Sequence, residues 1–467
     1  MISFGNRIEM MVDHYLIAKQ SGLSFRINPP TKGPLVHPFN MPWEGPGSLG
    51  LSVLEDEEGI KLYVRGSDVD GGGRSPKQAA CLYISQDGVH FTPYPVNEMD
   101  VDGYKENNVV MRSIYCHNFA PFYDTNPNCK PDERYKAVAG ANYLFGTNGI
   151  HVFGSPDGIH WHELADGPIL SEGYQDSLNF AFWDSYAGVY RCYSRYWEDI
   201  SNEFTYSHYD PHARTDTFTG VHYGTGGCRA IQGATSTDFV HWTPSVHNQF
   251  TDGEGPTHHL YTMATANVPG AEHQLVCMPM RFSERVRHKI KEMPEKGISD
   301  AVLITSRDGV NWDRTAKEPW ISPSMYSHEW THRSFITTPG AIIERDNNFL
   351  FYVEQNYMWE DVGIWLYTLP KYRFMSLYAD GNGGSFTTKL LHFESDDIYL
   401  NYATSACGHV KVTVIGEMGK LLYESDKIYG NELSHHLHFE GIKGHRGSLI
   451  IELCEAHLYA IGSKMSE

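Results

Sequence analysis

Polar side chains recur just ahead of the strand-like runs of this chain, and their types are those of a reactive cleft. "FNMPWEGPG" supplies Trp43 and Glu44, "CHNF" His117 and Asn118, "GYQDSLNF" Asp176, Ser177 and Asn179, "PTHHLY" His258 and His259, and "HEWTHRSF" His332 and Arg333. Two carboxylates across one pocket can do paired work, one giving a proton to a leaving oxygen while the other attacks or activates water. Glu44 and Asp176 form the best pair by position, with Glu354 of "YVEQNY" in reserve as a third carboxylate that pairs with an arginine or tunes a neighbour. Arginines end the second strand of three units: Arg65 in "YVRG", Arg195 in "YSRY" and Arg281 in "PMRF". A guanidinium there can neutralise a carboxylate or fork onto hydroxyls, although a plain strand-end arginine on the surface is as good an explanation for each one alone. His117, His258, His259 and His332 are too scattered to read as a metal set, and neutral imidazole hydrogen bonds are the simpler role. Asp68 and Asp70 in "RGSDVDGGG" lack the full spacing of an EF-hand and read as a glycine-rich loop. No metal and no cofactor is expected.

The elements that must position these groups announce themselves by repetition. "SQDGVHF", "SPDGIHW", "STDFVHW" and "SRDGVNW" begin at Ser85, Ser155, Ser236 and Ser306, spaced 70, 81 and 70 residues apart. Such a period is too long for a helical solenoid and fits one four-stranded antiparallel sheet per unit, the blade of a propeller. In each phrase the Asp-Gly step suits a positive-φ turn and the final aromatic packs the outer hairpin, so these residues are structural. A fifth unit, "ITTPGAIIERDNNFLFYVEQNY" then "VGIWLYTL", has the inner hairpin without the phrase. Period-two alternation dominates, and the one helix-like run, "SERVRHKIKEM", is charged and reads as a surface insertion in the fourth unit. Beyond about residue 370 the phrase disappears and short strands continue, the pattern of a β-sandwich. The expected architecture is all-β: a five-bladed β-propeller over residues 1–370 and a C-terminal β-sandwich over 371–467 packed on it.

Composition narrows the partners. A formal net charge of −20 argues against nucleic acid and anionic membranes, which need clustered Lys and Arg, and makes a heavily sulfated polysaccharide a poor substrate unless a local basic pocket overrides it. The 29 Tyr, 22 Phe and 10 Trp suit an all-β protein or a carbohydrate-facing cleft. Eight cysteines without a CxxC pair give neither a zinc site nor a disulfide framework. The opening "MISFGNRIEMMVDHYLIAKQSG" is interrupted by Arg7, Glu9, Asp13 and His14, so it is neither a signal peptide nor a membrane span, and the chain as given reads as cytoplasmic, or as secreted or periplasmic had a signal been removed.

A five-bladed propeller followed by a β-sandwich resembles glycoside hydrolase families 32 and 68, with cousins in families 43, 117 and 130. The resemblance covers the whole chain and is one of layout: the Trp-Met-Asn-Asp-Pro-Asn-Gly run of family 32 is absent, as are its Arg-Asp-Pro and Glu-Cys motifs, which marks a divergent branch. It implies a glycoside hydrolase acting on an oligo- or polysaccharide over the propeller axis, with Glu44 about where those families put a nucleophile or base. Trp43, Arg65, His117, Asn118, Asn179, Arg195, His258, His259, Arg281, His332 and Arg333 would then hold sugar. The implied substrate is neutral or weakly charged, with a furanose or anhydro-sugar unit. A sugar-binding propeller without catalysis, and a polysaccharide lyase using His117 or His259 as base and an arginine on a uronate, are the alternatives. A homo-oligomer is compatible with this architecture.

Overall fold

The computed structural model describes all residues except 6, 68–76, 142–148, 172–174, 176, 200–226, 254–257, 284–296 and 464–467. Asp68, Asp70 and Asp176, and the helix-like run from residue 284 onward, therefore lie outside the described residues. Among the described residues the chain is all-β with short 3-10 turns such as Ile114–Asn118, and no helix is long and apolar enough to cross a membrane.

Five units of largely antiparallel strands follow one another along the chain, six sheets in all because the fourth unit is made of two. The first holds Leu49–Asp56, Gly59–Gly66, Ala79–Ser85 and Val109–Met111, and the second Phe119–Tyr123, Tyr135–Ala141, Gly149–Ser155 and His162–Glu163. The third holds Phe180–Asp184, Val189–Asp199, Gly227–Ser236 and Val246–His247. The fourth unit is split. Thr265–Val268, Ala271–Cys277, Ile304–Ser306 and Asn311–Asp313 form one part, and His259–Leu260, Met280–Ser283 and Ile298–Ala301 the other. The break falls at Pro279, which has no N–H to give a ladder. The fifth sheet holds Ile336–Thr337, Asn348–Gln355 and Gly363–Pro370, and it takes its outer strand from the far end of the chain: Thr31–Pro38 runs antiparallel to Gly363–Pro370. The "ERDNNFL" hairpin forms as expected, pairing Arg345 with Asn348 around Asp346 at φ 51°. First strands of the first four units, through Leu54, Phe122, Phe180 and Ala266, line one cavity with Ile342, which precedes the hairpin strand Ile343–Arg345 of the fifth.

The marker phrases close the outer hairpins by a local hydrogen-bond set. In the second sheet Ser155 Oγ accepts from Gly158 N at 2.9 Å while Asp157 Oδ1 accepts from Ile159 N and His160 N at 2.9 Å each. Ser85, Ser236 and Ser306 head the same arrangement. The fourth residue of each phrase is left-handed, Gly88, Gly158 and Gly309 at φ 77–79° and Phe239 at φ 70°. Tyrosines of other sheets reach these turns: Tyr63 donates to Gly158 O at 2.9 Å, Tyr193 to Gly309 O at 3.0 Å and Tyr352 to Gly88 O at 3.0 Å. Phe239, which no glycine could replace in this respect, is buried among Phe122, Tyr190 and Trp242.

A second repeat sits at the far end of the first strands. Asp56 pairs with Lys61 at 2.6 Å, Asp124 with Lys136 at 3.0 Å and Asp184 with Arg191 at 2.6 Å, all buried. Each aspartate also accepts from the next sheet: Asp56 from Tyr135 at 2.6 Å, Asp124 from Tyr190 at 2.6 Å and Asp184 from Asn267 at 3.1 Å.

Residues 371–463 supply seven strands of one eleven-stranded sheet built around the long strands Asp397–Gly416 and Arg446–Gly462. Sequence patterning placed residues 1–27 within the propeller, 1–370, but Ile2–Phe4, Ile8–Met10, Ile17–Ser21 and Ser24–Ile27 all pair within this C-terminal sheet. The first two of these short strands bury Ile2, Phe4, Ile8 and Met10 in doing so. Ile8, Met10 and Val12 also pack with Ala264, Trp320 and Phe374, fastening the sheet to the fourth and fifth units. Glu9, fully buried there, accepts from Arg307 at 2.8 Å and lies 3.3 Å from His273. Burial alone would raise the Glu9 carboxyl, but His273, Arg307 and Arg7 overcome it and hold it at about 2.

Turn geometry gives a controlled test. Alanine at Gly158 would combine φ 79° with a Cβ 2.5 Å from the Tyr63 hydroxyl, whereas alanine at Gly188 shares a left-handed φ of 69° with open space around it. Gly188→Ala is expected to cost about 1–2 kcal/mol of backbone strain, and Gly158→Ala about 1–3 kcal/mol more, read as the difference in denaturant midpoints.

Candidate functional site

The ends of the second strands, opposite the marker turns, gather charge. Arg65 pairs across the first sheet with Leu49 and Ala80, Arg195 and Arg229 lie on adjacent strands of the third, and Glu354 pairs with Ile336 and Ile364 in the fifth. His259 opens the second part of the fourth unit opposite Phe282, and Tyr261 N donates to Met280 O at 2.8 Å just after it. Arg333 sits in the turn before Ile336 at φ 58°, its N–H on Ser299 Oγ at 3.1 Å.

Glu354 is fully buried. Its Oε2 accepts from Gly50 N at 2.8 Å, and Oε1 has no hydrogen-bond partner among the described residues. Burial raises the carboxyl to about 8 against the opposing pull of the Gly50 N–H, Arg65 and Arg333, so Glu354 carries its proton at neutral pH. A protonated carboxyl with one oxygen uncommitted is the electronic state of a general acid.

Two imidazoles are fixed as neutral donors. His117 Nδ1 lies 3.1 Å from Arg65 Nη1, and His259 Nδ1 lies 3.1 Å from Arg229 N and 3.2 Å from Arg229 Nη1. Guanidinium and backbone N–H groups only donate, so both Nδ1 atoms accept and both ring protons sit on Nε2. Gln78 lies 3.1 Å from the same His117 Nδ1 and must therefore turn its amide nitrogen toward it. Burial, with the neighbouring arginines, pushes His117 well below the ordinary range and His259 to about 2.

Tyr261 lies among guanidiniums: Arg229 is 4.7 Å, Arg195 5.6 Å and Arg333 5.8 Å from its ring centroid, and Arg333 also donates to the Tyr357 hydroxyl at 2.9 Å. Burial would raise the phenol, but Arg333, Arg229 and Arg195 bring it down to about 7. Phe282 and His332, 5.1 Å apart, complete an aromatic wall with Tyr261.

The site thus joins Arg65, His117, Arg195, His259, His332, Arg333 and Glu354 from the sequence-derived set, and adds Arg229, Tyr261 and Tyr357. Other candidates have different partners. Glu44 accepts from Tyr83 at 2.6 Å and from Met41 N at 3.2 Å, and lies 3.5 Å from His37, in an apolar cluster with Trp43 and Phe39. It ties the segment following the N-terminal strand to the first sheet. Asn179 spends its amide on Gln175 O and Ser177 O at 3.0 and 2.9 Å, and Asn118 is buried as the last residue of the 3-10 turn. Arg281 grips Asp300 with both fork nitrogens, at 2.8 and 2.5 Å, in a neighbouring cavity that His258 also lines. The histidines do not converge as ligands. The His and carboxylate atoms that do converge among the described residues are those of Asp397, His436 and His438 on the C-terminal sheet.

No protein-family model matches the chain, and no curated protein does. Among solved structures it is similar to the beta-1,2-mannobiose phosphorylase of Listeria innocua (12% identity, 76% of this chain and 98% of that one, TM-score 0.44). It is also similar to an N-acetylgalactosamine deacetylase from F. plautii (14%, 92% and 95%, TM-score 0.42) and to the GH32 beta-fructofuranosidase of Bombyx mori (7%, 93% and 93%, TM-score 0.39).

The proton on Glu354 has a thermodynamic signature. The folded chain keeps it up to about 8, whereas the unfolded chain releases it near 4.5, so unfolding liberates a proton between these limits and stability falls as pH rises through that window. Glu354→Gln removes the effect. Its stability relative to wild type should climb from pH 4.5 to 8, by up to about 5 kcal/mol, and stay level outside that range, as thermal melts at stepped pH would show.

Proposed function

We propose that the protein is a glycoside hydrolase whose five sheets are the five blades of one propeller, with the eleven-stranded C-terminal sheet acting as a β-sandwich against it. The first unit then spans residues 31–370, and residues 1–27 belong with the second. Glu354 is the general acid: a buried, protonated carboxyl at the polar end of the blades is the observation that carries this reading. It gives its proton to the glycosidic oxygen as the bond to the anomeric carbon breaks. Asp176, from the sequence pattern, is the second carboxylate, attacking that carbon or activating water. The Nε2–H groups of His117 and His259 hold sugar hydroxyls, and Tyr261 offers a face on which a ring can lie. The substrate is a neutral or weakly charged glycan with a furanose or anhydro-sugar unit.

One observation favours a second reading. A phenol brought to about 7 amid arginines is a competent base, and Tyr261 could abstract the proton beside a uronate carboxylate, as a lyase requires.

Sugar release from fructans, arabinans and agar-type oligosaccharides by wild type, Glu354→Gln and Asp176→Asn is the test. The hydrolase reading predicts that Glu354→Gln lowers release about 10²–10⁴-fold, and lowers it far less on aryl glycosides whose leaving group needs no proton. Unsaturated, ultraviolet-absorbing ends would make the enzyme a lyase. Binding without turnover on the whole panel would make it a sugar-binding propeller.

A further inference from the structure

Three side chains of the C-terminal sheet converge on one point. Asp397 opens the strand Asp397–Gly416, and His436 and His438 lie at the end of Asn431–His438 beside it. The register sets Asp397 directly across from His438 and Tyr399 across from His436, so with the two-residue period of a strand all four side chains stand on one face. Asp397 Oδ1 lies 2.7 Å from His436 Nε2 and 2.8 Å from His438 Nδ1, and the three atoms fall within 4.8 Å of one another. None of the histidines singled out in the sequence is among them. The Tyr399 ring stacks on His436 at 4.8 Å and 18°, which fixes the plane of that imidazole. Ser395 donates to Asp397 Oδ2 at 3.4 Å and accepts from Asp397 N at 3.1 Å, leaving the other carboxylate oxygen to the rings. His435 is turned instead to Tyr402. The marker turns make a useful contrast. There His90, His160 and His241 meet Asp87, Asp157 and Asp238, but each turn offers its aspartate one imidazole and spends Oδ1 on backbone N–H groups.

We propose that Asp397, His436 and His438 form a binding site for a divalent transition ion of the zinc class, with Oδ1, Nε2 and Nδ1 as its protein ligands and water in the remaining positions. Two imidazoles and a carboxylate suit zinc, nickel or copper, whereas calcium and magnesium ask for oxygens. A carboxylate oxygen only accepts, so without an ion both facing nitrogens carry hydrogen. The ion takes the place of those two hydrogens, and each ring keeps a proton on its other nitrogen. Ligands about 2.1 Å from a tetrahedral ion stand about 3.4 Å apart, so each N···O separation need open by only about 0.6–0.7 Å. Both histidines are exposed and can turn that far. The ion then clasps Asn431–His438, which among the described residues pairs with Asp397–Gly416 alone, to its neighbour. The site shares no residue with the glycan reading and stands or falls apart from it.

Zinc titration of the full chain against a chromophoric chelator, after dialysis from EDTA, is the test. His436→Ala, His438→Ala and Asp397→Asn are each expected to weaken the tightest zinc site at least about tenfold, while His435→Ala leaves it unchanged. Excess calcium or magnesium should not displace the zinc. Copper(II) at one equivalent should show electron paramagnetic coupling to the nitrogens of two imidazoles, reduced to one in either histidine variant. Zinc should also raise the melting temperature of wild type more than that of the three variants, because it binds the paired strands and not the unfolded chain. Zinc affinity equal in wild type and both histidine variants, or a wild-type copper spectrum unaltered by those substitutions, would overturn the proposal. Undiminished affinity in Asp397→Asn would overturn the three-ligand site.

Discussion

The joint on which this architecture depends is a buried aspartate at the end of a first strand. Asp56, Asp124 and Asp184 each satisfy a cation from their own second strand and a donor from the next sheet. An uncompensated charge at such depth would cost several kcal/mol, so each aspartate needs both partners, and meeting that need fixes one sheet against the next. Arg345 reaching Glu55 ties the fifth sheet to the first in a related way. Sheets that would otherwise present edges are thereby stacked in a set order, and the outermost edge of the fifth is covered by Thr31–Pro38.

Because the charged joints and marker turns occupy one end of the strands, the other end can tolerate polar groups that do no structural work. There the second strands carry Arg65, Arg195 and Glu354, residue types that pull against each other electrically. Desolvation wins at Glu354, which keeps its proton despite two nearby guanidiniums, and loses at Tyr261, where three of them overcome burial. A proton donor and an acidic phenol thus coexist near neutral pH, the condition under which bond cleavage by proton transfer is fastest.

Much of this could be read from the chain because the signals are local. Ser-x-Asp phrases make their hydrogen bonds within six residues, so their spacing revealed the sheets, and several polar residues singled out ahead of strands, His117, His259 and His332 among them, lie at the opposite end from those turns. What escaped is non-local. The pairing of Thr31–Pro38 with Gly363–Pro370 joins segments that share no pattern, and the N-terminal strands look like any short apolar runs until the C-terminal edges are known. Arg229 and Tyr357 sit in strand-like stretches where one arginine or one of 29 tyrosines draws no attention, although Tyr261 stands two residues after the His-His pair that did. Glu44 carried the same sequence signal as a cleft carboxylate, yet only the fold reveals Tyr83 and His37 as its neighbours.

The protonation state of Glu354 at neutral pH is the claim on which the chemistry turns, and infrared difference spectroscopy of wild type against Glu354→Gln reads it without substrate. A protonated carboxyl band present at pH 7, absent from the variant and lost above pH 8 is the predicted result. A carboxylate already ionised at pH 6 would contradict the account.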